Sequence, residues 1–308
     1  MNSSPLLVIL GPTASGKTRL AVQVARLLEG EIISADSRQV YRGMDIGTGK
    51  DLDEYTTDNQ TVPYHLIDVV NAGDDYNLHR YQQDFRRAVA DIQNRGHRPI
   101  VCGGTGLYIE AVLKGHAYTA IPVNEPLRAA LDTLTDEQLT HRFHDTPSAY
   151  SPVADTSTRK RLIRAVEIST YLNAHPNVQL GAATPAYEAR LFGIDVPVEL
   201  RRQRISTRLR HRLQHGMIEE VEQLLAQGVP AEKLVFYGLE YKFITQYLSG
   251  ELDYNTMATR LETAIHQFAK RQMTFFRKME RDGLLIHWLD GTQPTEVLSQ
   301  QITTLITG

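Results

Sequence analysis

The chain has 308 residues, 42% hydrophobic and 22% charged, with a formal net charge of −3, which excludes a disordered tail. Its one cysteine, Cys102, excludes an internal disulfide framework. No apolar run approaches the ~20 residues that cross a bilayer. The first five apolar residues, Leu6 to Leu10, are too short and too uncharged a stretch for a secretory signal, so an unanchored cytoplasmic protein is expected.

In chain order, residues 6–10 read as a strand and run directly into Gly11-Pro12-Thr13-Ala14-Ser15-Gly16-Lys17-Thr18, after which residues 17–28 have helical spacing. The pattern G-x-x-x-x-G-K-[ST] between a strand and a helix is a phosphate-binding loop. Its glycines let the backbone turn several N–H groups inward, and the helix start adds its positive dipole end. Lys17 adds a charge, Thr13 and Ser15 can donate to the same anion, and Thr18 is placed to ligate Mg²⁺. The pattern leaves open which diphosphate compound is bound.

A second strand, residues 31–35, leads to Asp36-Ser37-Arg38-Gln39. In an open α/β sheet the ligand crevice lies at the carboxyl ends of the strands, so Asp36 and Lys17 project toward one volume. A carboxylate there can accept a proton while Lys17 holds a phosphate leaving group, and Gln39 can read a polar edge of the acceptor. The structural alternative for Asp36 is a cap on the next turn. Gly47-Thr48-Gly49-Lys50 reads as a mobile loop carrying one cation. Residues 65–70 read as a third strand containing Asp68, either the second acid of a nucleotide hydrolase or a strand-end cap.

Helical spacing over residues 78–94 stops at Arg95-Gly96. A fourth strand, residues 99–102, ends in Gly103-Gly104-Thr105-Gly106, which opens a helix at Leu107 and belongs to the same rim. From about residue 115 to 185 no buried strand is evident, and helical stretches cover residues 125–143 and 158–172. His141 and His144 share a helical face but lack a third ligand, so they read as surface. Strand character returns at residues 189–196, followed by mainly helical chain to Met279 and a last extended run, residues 284–289. The expected fold is α/β: a parallel sheet of the P-loop NTPase type flanked by helices, formed by residues 1–114 and 185–308, with a mainly helical insertion at 115–184 and a helical C-terminal part.

Charge is uneven. Residues 156–280 hold eighteen Lys or Arg against thirteen Asp or Glu, and residues 201–212 hold six arginines and no acid. Such a run is either a track for a polyanion or a solvated amphipathic helix. The adjacent rings Phe275 and Phe276 read as core rather than as a stacking surface.

Taken together, GPTASGKT at 11–18, DSRQVYRGMDIGTGK at 36–50, GGTGLYIEAVLKG at 103–115, RKRLIRAVEI at 159–168, RI at 204–205 and AKRQMTFFR at 269–277 resemble the tRNA dimethylallyltransferase family in order and spacing. The resemblance implies that the loop Gly11 to Thr18 holds the pyrophosphate of dimethylallyl diphosphate with Mg²⁺ on Thr18. The acceptor is then N6 of the adenosine 3′-adjacent to the anticodon in tRNAs reading codons that begin with U. It makes Asp36 the base and Lys17, Thr18 and Arg204 the groups stabilising the leaving anion. Asp36, Ser37, Arg38, Gln39, Thr105, Arg128, Lys160, Arg161, Leu162, Ile163, Arg164, Lys270, Arg271 and Gln272 match positions that contact the anticodon stem-loop. A monomer without membrane attachment is expected. The alternatives are an adenylate isopentenyltransferase acting on free nucleotide and a P-loop kinase or NTPase. The chain departs from the family at Phe236-Tyr237-Gly238-Leu239-Glu240-Tyr241-Lys242, where an acid stands near an expected cation, at Phe275, where tryptophan is common, and in a somewhat short insertion.

Overall fold

The structure, a computed structural model, describes residues 5–57, 59–180 and 187–307. Ten strands are formed among them: β1 (Leu6–Leu10), β2 (Gly30–Ser34), β3 (Tyr41–Arg42), β4 (Thr56–Thr57), β5 (Gln60–Thr61), β6 (Tyr64–His65), β7 (Val70–Asn71), β8 (Arg98–Gly103), β9 (Ala189–Asp195) and β10 (Ile286–Asp290). Six of them make one sheet in the order β10-β9-β1-β8-β2-β6, and every pair in it is parallel.

The sheet is apolar on both faces because helices cover both, which is why β1 reads LLVIL with no polar alternation. Leu6, Val8 and Leu10 enter one core with Val101, Phe85 and Ile109. Leu7 and Ile9 enter the other with Ile100, Leu20 and Phe192. Helices α1 (Lys17–Leu27) and α12 (Thr295–Thr307) cover the second face, while α2 (Leu78–Asn94) and α3 (Gly106–Lys114) cover the first. Each fully buried aliphatic side chain contributes about 1.5–3 kcal/mol relative to exposure.

The chain forms two compact units, Met1–Leu113 with Pro185–Gly308, and Lys114–Thr184. Residues 181–186, where the sequence places the return to the first unit, lie outside the described ones, as do residues 1–4. The second unit contains α4 (Glu125–Asp132), α5 (Asp136–His144) and α6 (Arg159–Ala174) around Leu131, Leu139, Phe143, Leu162 and Val166. The expected single helix at 125–143 is therefore two. Thr135 caps the second through a reciprocal capping box with Gln138, which ends any continuation from α4. In the first unit α7 (Val198–Gln214), α8 (Met217–Ala226), α9 (Ala231–Tyr237), α10 (Leu239–Leu248) and α11 (Tyr254–Arg281) enclose a further core with Val40, Tyr41 and Met44.

The expected strand at 65–70 is cut short. Only Tyr64 and His65 join the sheet, beside Ile32 and Ile33. Leu66 and Asp68 then take left-handed backbone, and Val70 re-pairs with Tyr41 in a separate two-stranded ribbon. Asp68 is drawn into that turn by Lys50, whose side chain is 1% exposed and donates to Asp68, to Asp45 Oδ1 (2.6 Å) and to the Tyr41 carbonyl (2.8 Å).

At the opposite, amino end of the sheet, the buried Glu31 carboxylate accepts from Arg95 (2.7 and 2.9 Å) and pairs with His65 Nε2 and His97 Nδ1, both at 2.6 Å. Burial alone would raise its pKa, but these hydrogen bonds hold it down to about 2. A folded-state pKa below the unfolded one contributes stability that is present above the ordinary carboxylate range and is lost as pH falls toward 2. Urea unfolding of wild type against Glu31→Gln should therefore show the two converging between about pH 4.5 and pH 2. A constant difference across that window removes Glu31 as the source.

Candidate active site

The loop between β1 and α1 is built around two positive-φ residues, Ala14 (φ 62°) and Gly16 (φ 86°). Gly11 is required for a second reason: a Cβ there would sit 2.6 Å from Ser15 Oγ. The resulting cradle is open to an anion. No side chain caps the start of α1, and Ser15 Oγ is buried with no hydrogen-bond partner in the protein. An orphaned buried hydroxyl in such a loop is a donor awaiting a ligand. Burial pulls the Lys17 ammonium below its ordinary pKa, while Cys102 and Asp36 pull the other way. Among the described residues no group of three or more His, Cys, Asp or Glu is placed to hold a metal. A cation here would use the Thr18 hydroxyl and ligand phosphate oxygens, a donor set that suits Mg²⁺.

The cradle forms one wall of a cavity of ≈ 860 Å³ lined by Thr13 to Thr18, Asp36 to Gln39, Thr105, Arg204, Arg271 and Gln272 among others. The sequence-selected residues of the first unit thus converge on the carboxyl ends of β1, β2 and β8, with Arg204, Arg271 and Gln272 brought there by α7 and α11; Gly11, Pro12, Lys50, Asp68 and Lys270 do not line the cavity. Asp36 Oδ1 accepts from the Arg38 amide at 2.9 Å. Thr105 Oγ1 accepts from the Ser37 amide at 3.1 Å, and its own N–H donates to the Ala35 carbonyl. Gln39 is partly committed to the scaffold: its Oε1 accepts from Ser34 Oγ (2.8 Å) and its Nε2 donates to the Gly49 carbonyl (3.1 Å). Gln272 is buried, accepting from the Thr13 amide at 2.8 Å and donating to the Gly104 carbonyl at 2.9 Å.

The loop at Gly47 to Lys50, expected to be mobile and to present a cation, is instead fixed on several sides. The buried Glu220 carboxylate accepts from the amides of Asp45 (2.8 Å), Ile46 (2.6 Å) and Gly47 (3.0 Å) and from Tyr241 Oη (2.6 Å). A Cβ at Gly47 would meet the Tyr241 ring at 2.8 Å, and one at Gly49 (φ 66°) would meet Arg212 at 2.7 Å. Lys50 is a buried structural cation, and Asp68 is its partner rather than a metal ligand.

Within the run at 201–212, Arg204, Arg208 and Arg212 share one face of α7 and line the cavity, whereas Arg201, Arg202 and Arg210 do not. Arg208 donates to Thr13 Oγ1 in the phosphate loop, and burial, with Arg212 adding, lowers its pKa to about 10. Arg212 holds Asp51 at 2.8 Å. Arg208 and Arg212 belong to the run read from the sequence as a polyanion track or a solvated helix but were given no individual role; their i, i+4, i+8 spacing from Arg204 is the signal that sets them apart. Glu240, the acid flagged as a departure, also lines the cavity, and burial raises its carboxyl pKa against the pull of Arg208 and Arg212. Phe276 is core, whereas Phe275 lines the cavity and closes on Gly106, where a Cβ would lie 2.3 Å from its ring.

In the second unit the expected nucleic-acid residues divide. Leu162 and Ile163 are core, at 6% and 8% exposure, so their side chains are not presented to a partner. Arg128 pairs with the buried Glu167 through Nε and Nη2, both at 3.0 Å. Arg164 also pairs with Glu167 and donates to the Ile121 carbonyl at 2.6 Å. Both organise the unit. Lys160 and Arg161 are exposed on α6, Arg161 pairing with Asp155 at 2.8 Å. His141 and His144 are exposed, as expected.

The family model described as "IPP transferase" matches residues 39–279, and one described as "Isopentenyl transferase" matches residues 4–64. The chain is 53% identical over 294 residues to tRNA dimethylallyltransferase 2 of Porphyromonas gingivalis, covering 94% of this chain and 95% of that one. It is 51% identical over 289 residues to tRNA dimethylallyltransferase 1 of Geotalea uraniireducens, covering 94% and 93%. The crystal structure of the full-length tRNA isopentenylpyrophosphate transferase of Bacillus halodurans superposes with a TM-score of 0.72 at 29% identity, over 99% of this chain and 96% of that one. With a matching family model over most of its length, and relatives that share half its residues end to end, the chain belongs to the IPP transferase family.

Proposed function

We propose that this protein transfers a dimethylallyl group from dimethylallyl diphosphate to N6 of the adenosine 3′-adjacent to the anticodon in tRNAs reading codons that begin with U, releasing diphosphate. The observation that carries the reading is one cavity holding both a phosphate cradle with an unfilled donor, Ser15 Oγ, and a carboxylate, Asp36, in a chain half identical to tRNA dimethylallyltransferases. A free-nucleotide acceptor and a phosphoryl-transfer enzyme gain no support from those relatives.

In the reaction N6 forms a bond to the allylic carbon as the carbon–oxygen bond to the diphosphate breaks. N6 is a weak nucleophile because its lone pair is delocalised into the ring, so the Asp36 carboxylate accepts its proton. The departing diphosphate is held by the loop amides, Ser15, Lys17, Arg204 and Arg208, groups oriented before the charge develops. Mg²⁺, when bound, neutralises part of that charge, and Thr18 would hold it. Ser37, Arg38, Thr105 and Arg271 face the acceptor side, and the target nucleotide leaves the anticodon-loop stack to reach them. Residues 115–184 form a unit that engages tRNA through Lys160 and Arg161, and the cavity is assembled by a single chain, so a monomer suffices.

The direct test is transfer of label from dimethylallyl diphosphate to unmodified tRNA against free AMP; label in AMP alone overturns the reading. Within it, Asp36→Asn should cut the single-turnover rate by about 10²–10⁴-fold with donor binding kept. An unchanged rate removes Asp36 as the base. Lys160→Ala should flatten the logarithmic salt dependence of tRNA binding by about 0.7–1, the contribution of one phosphate contact, with donor binding unaltered. An unaltered slope places Lys160 outside the interface.

A further inference from the structure

Both exposed phenylalanine side chains among the described residues, Phe236 (67% exposed) and Phe268 (39%), line the same cavity. Phe236 is held in place by its neighbour. Tyr237 is buried at the end of α9, its ring 4.3 Å from that of Tyr41, and its hydroxyl accepts from the Gly73 amide at 2.7 Å and donates to the Asp74 carbonyl. With Tyr237 locked inward, residue 236 faces out, and a ring stands at 67% exposure where a polar side chain would cost nothing. The Arg38 guanidinium lies over that ring, 5.7 Å from its centroid. Arg38 also donates its amide to Asp36 Oδ1, so the ring and cation adjoin the turn that carries the general base.

We infer that Phe236, backed by Arg38, is a stacking platform for an unpaired base flanking the target adenosine. Single-stranded nucleic acid is bound by pairing aromatic faces with cations: the ring takes the base and the cation takes the backbone. Arg38 and Arg271 supply cations around the same mouth. A nucleotide extruded into the cavity leaves its neighbours unstacked at the rim, and a ring there replaces the lost stacking. Phe236 is thereby a positioning residue for the RNA, and its ring takes no part in the bond that forms. The inference rests on an RNA acceptor.

The experiment measures steady-state transfer to an anticodon stem-loop RNA by wild type, Phe236→Ala, Phe236→Leu and Phe236→Trp. Loss of one base–ring stack corresponds to roughly 5- to 150-fold in affinity. Phe236→Ala and Phe236→Leu should therefore both raise KM for the RNA at least fivefold, while KM for dimethylallyl diphosphate stays at the wild-type value. Phe236→Trp should stay within about threefold of wild type. A set of stem-loops with one abasic nucleotide each should include one flanking position where wild type falls to the level of Phe236→Ala and the variant loses nothing more. Full activity in Phe236→Leu overturns the inference, because it shows an apolar contact without stacking. Equal penalties for wild type and Phe236→Ala at every abasic position overturn it as well. Transfer to free AMP but to no RNA by wild type overturns the tRNA reading first and this inference with it.

Discussion

The buried amide of Gln272 is the contact through which the cavity holds its shape. It reaches from the middle of α11 to the sheet, accepts from the amide of Thr13 and donates to the carbonyl of Gly104. Two glycine-rich loops at the ends of β1 and β8 are thereby kept at a fixed separation. Gly104 has no Cβ because one would lie 2.4 Å from Gln272 Nε2. A side-chain amide can satisfy a donor and an acceptor at once, which neither a carboxylate nor an ammonium can do. Buried polar groups of this kind are costly when half satisfied and specific when fully satisfied. Here the satisfied state sets the geometry of the phosphate-loop backbone.

The same economy governs charge around the cavity. Arg208 is drawn out of water and bonded to Thr13 instead of being neutralised by a carboxylate at hydrogen-bond distance, and its lowered pKa records the cost. Arg212, one turn on, is neutralised by Asp51. Thus one arginine is left with electrostatic potential to offer a ligand, and the next fixes the loop wall at Gly49. A buried cation is unfavourable unless negative charge lies near it, and here Asp51, Glu240 and Glu54 offset only part of the cost. That makes α7 both a structural helix and one wall of the cavity.

Much of the fold was readable because it follows from periodicity. The continuous apolar runs of β1, β8 and β9 require a sheet covered on both faces, and the strand–loop–helix placement of the phosphate loop fixes where ligands go. The break between α4 and α5 also carried a signal, Thr135 followed by Gln138, that the broad helical spacing of residues 125–143 obscured. The end of β6 carried none: left-handed backbone at Leu66 and Asp68 is imposed by Lys50 and by pairing with residues 41–42, contacts that no local pattern encodes.

Site residues were readable where backbone geometry alone places them. Lys17, Asp36 and Thr105 each follow a strand of a parallel sheet, so position in the motif settles position in space. Partner choice is a different matter. Glu167 claims Arg128 and Arg164, Glu220 claims three loop amides, and Lys50 claims Asp68, pairings separated by up to 175 residues that turn apparent ligand contacts into scaffold. Sequence reports that a charge is present; only the fold reports whether it is already spent. Among the matching cations of the second unit, this shifts attention from Arg128 and Arg164 to those, such as Lys160, that the structure leaves facing solvent. An exposed cation is free to neutralise a phosphate, and release of the counterions condensed on the nucleic acid is what makes such binding depend on salt.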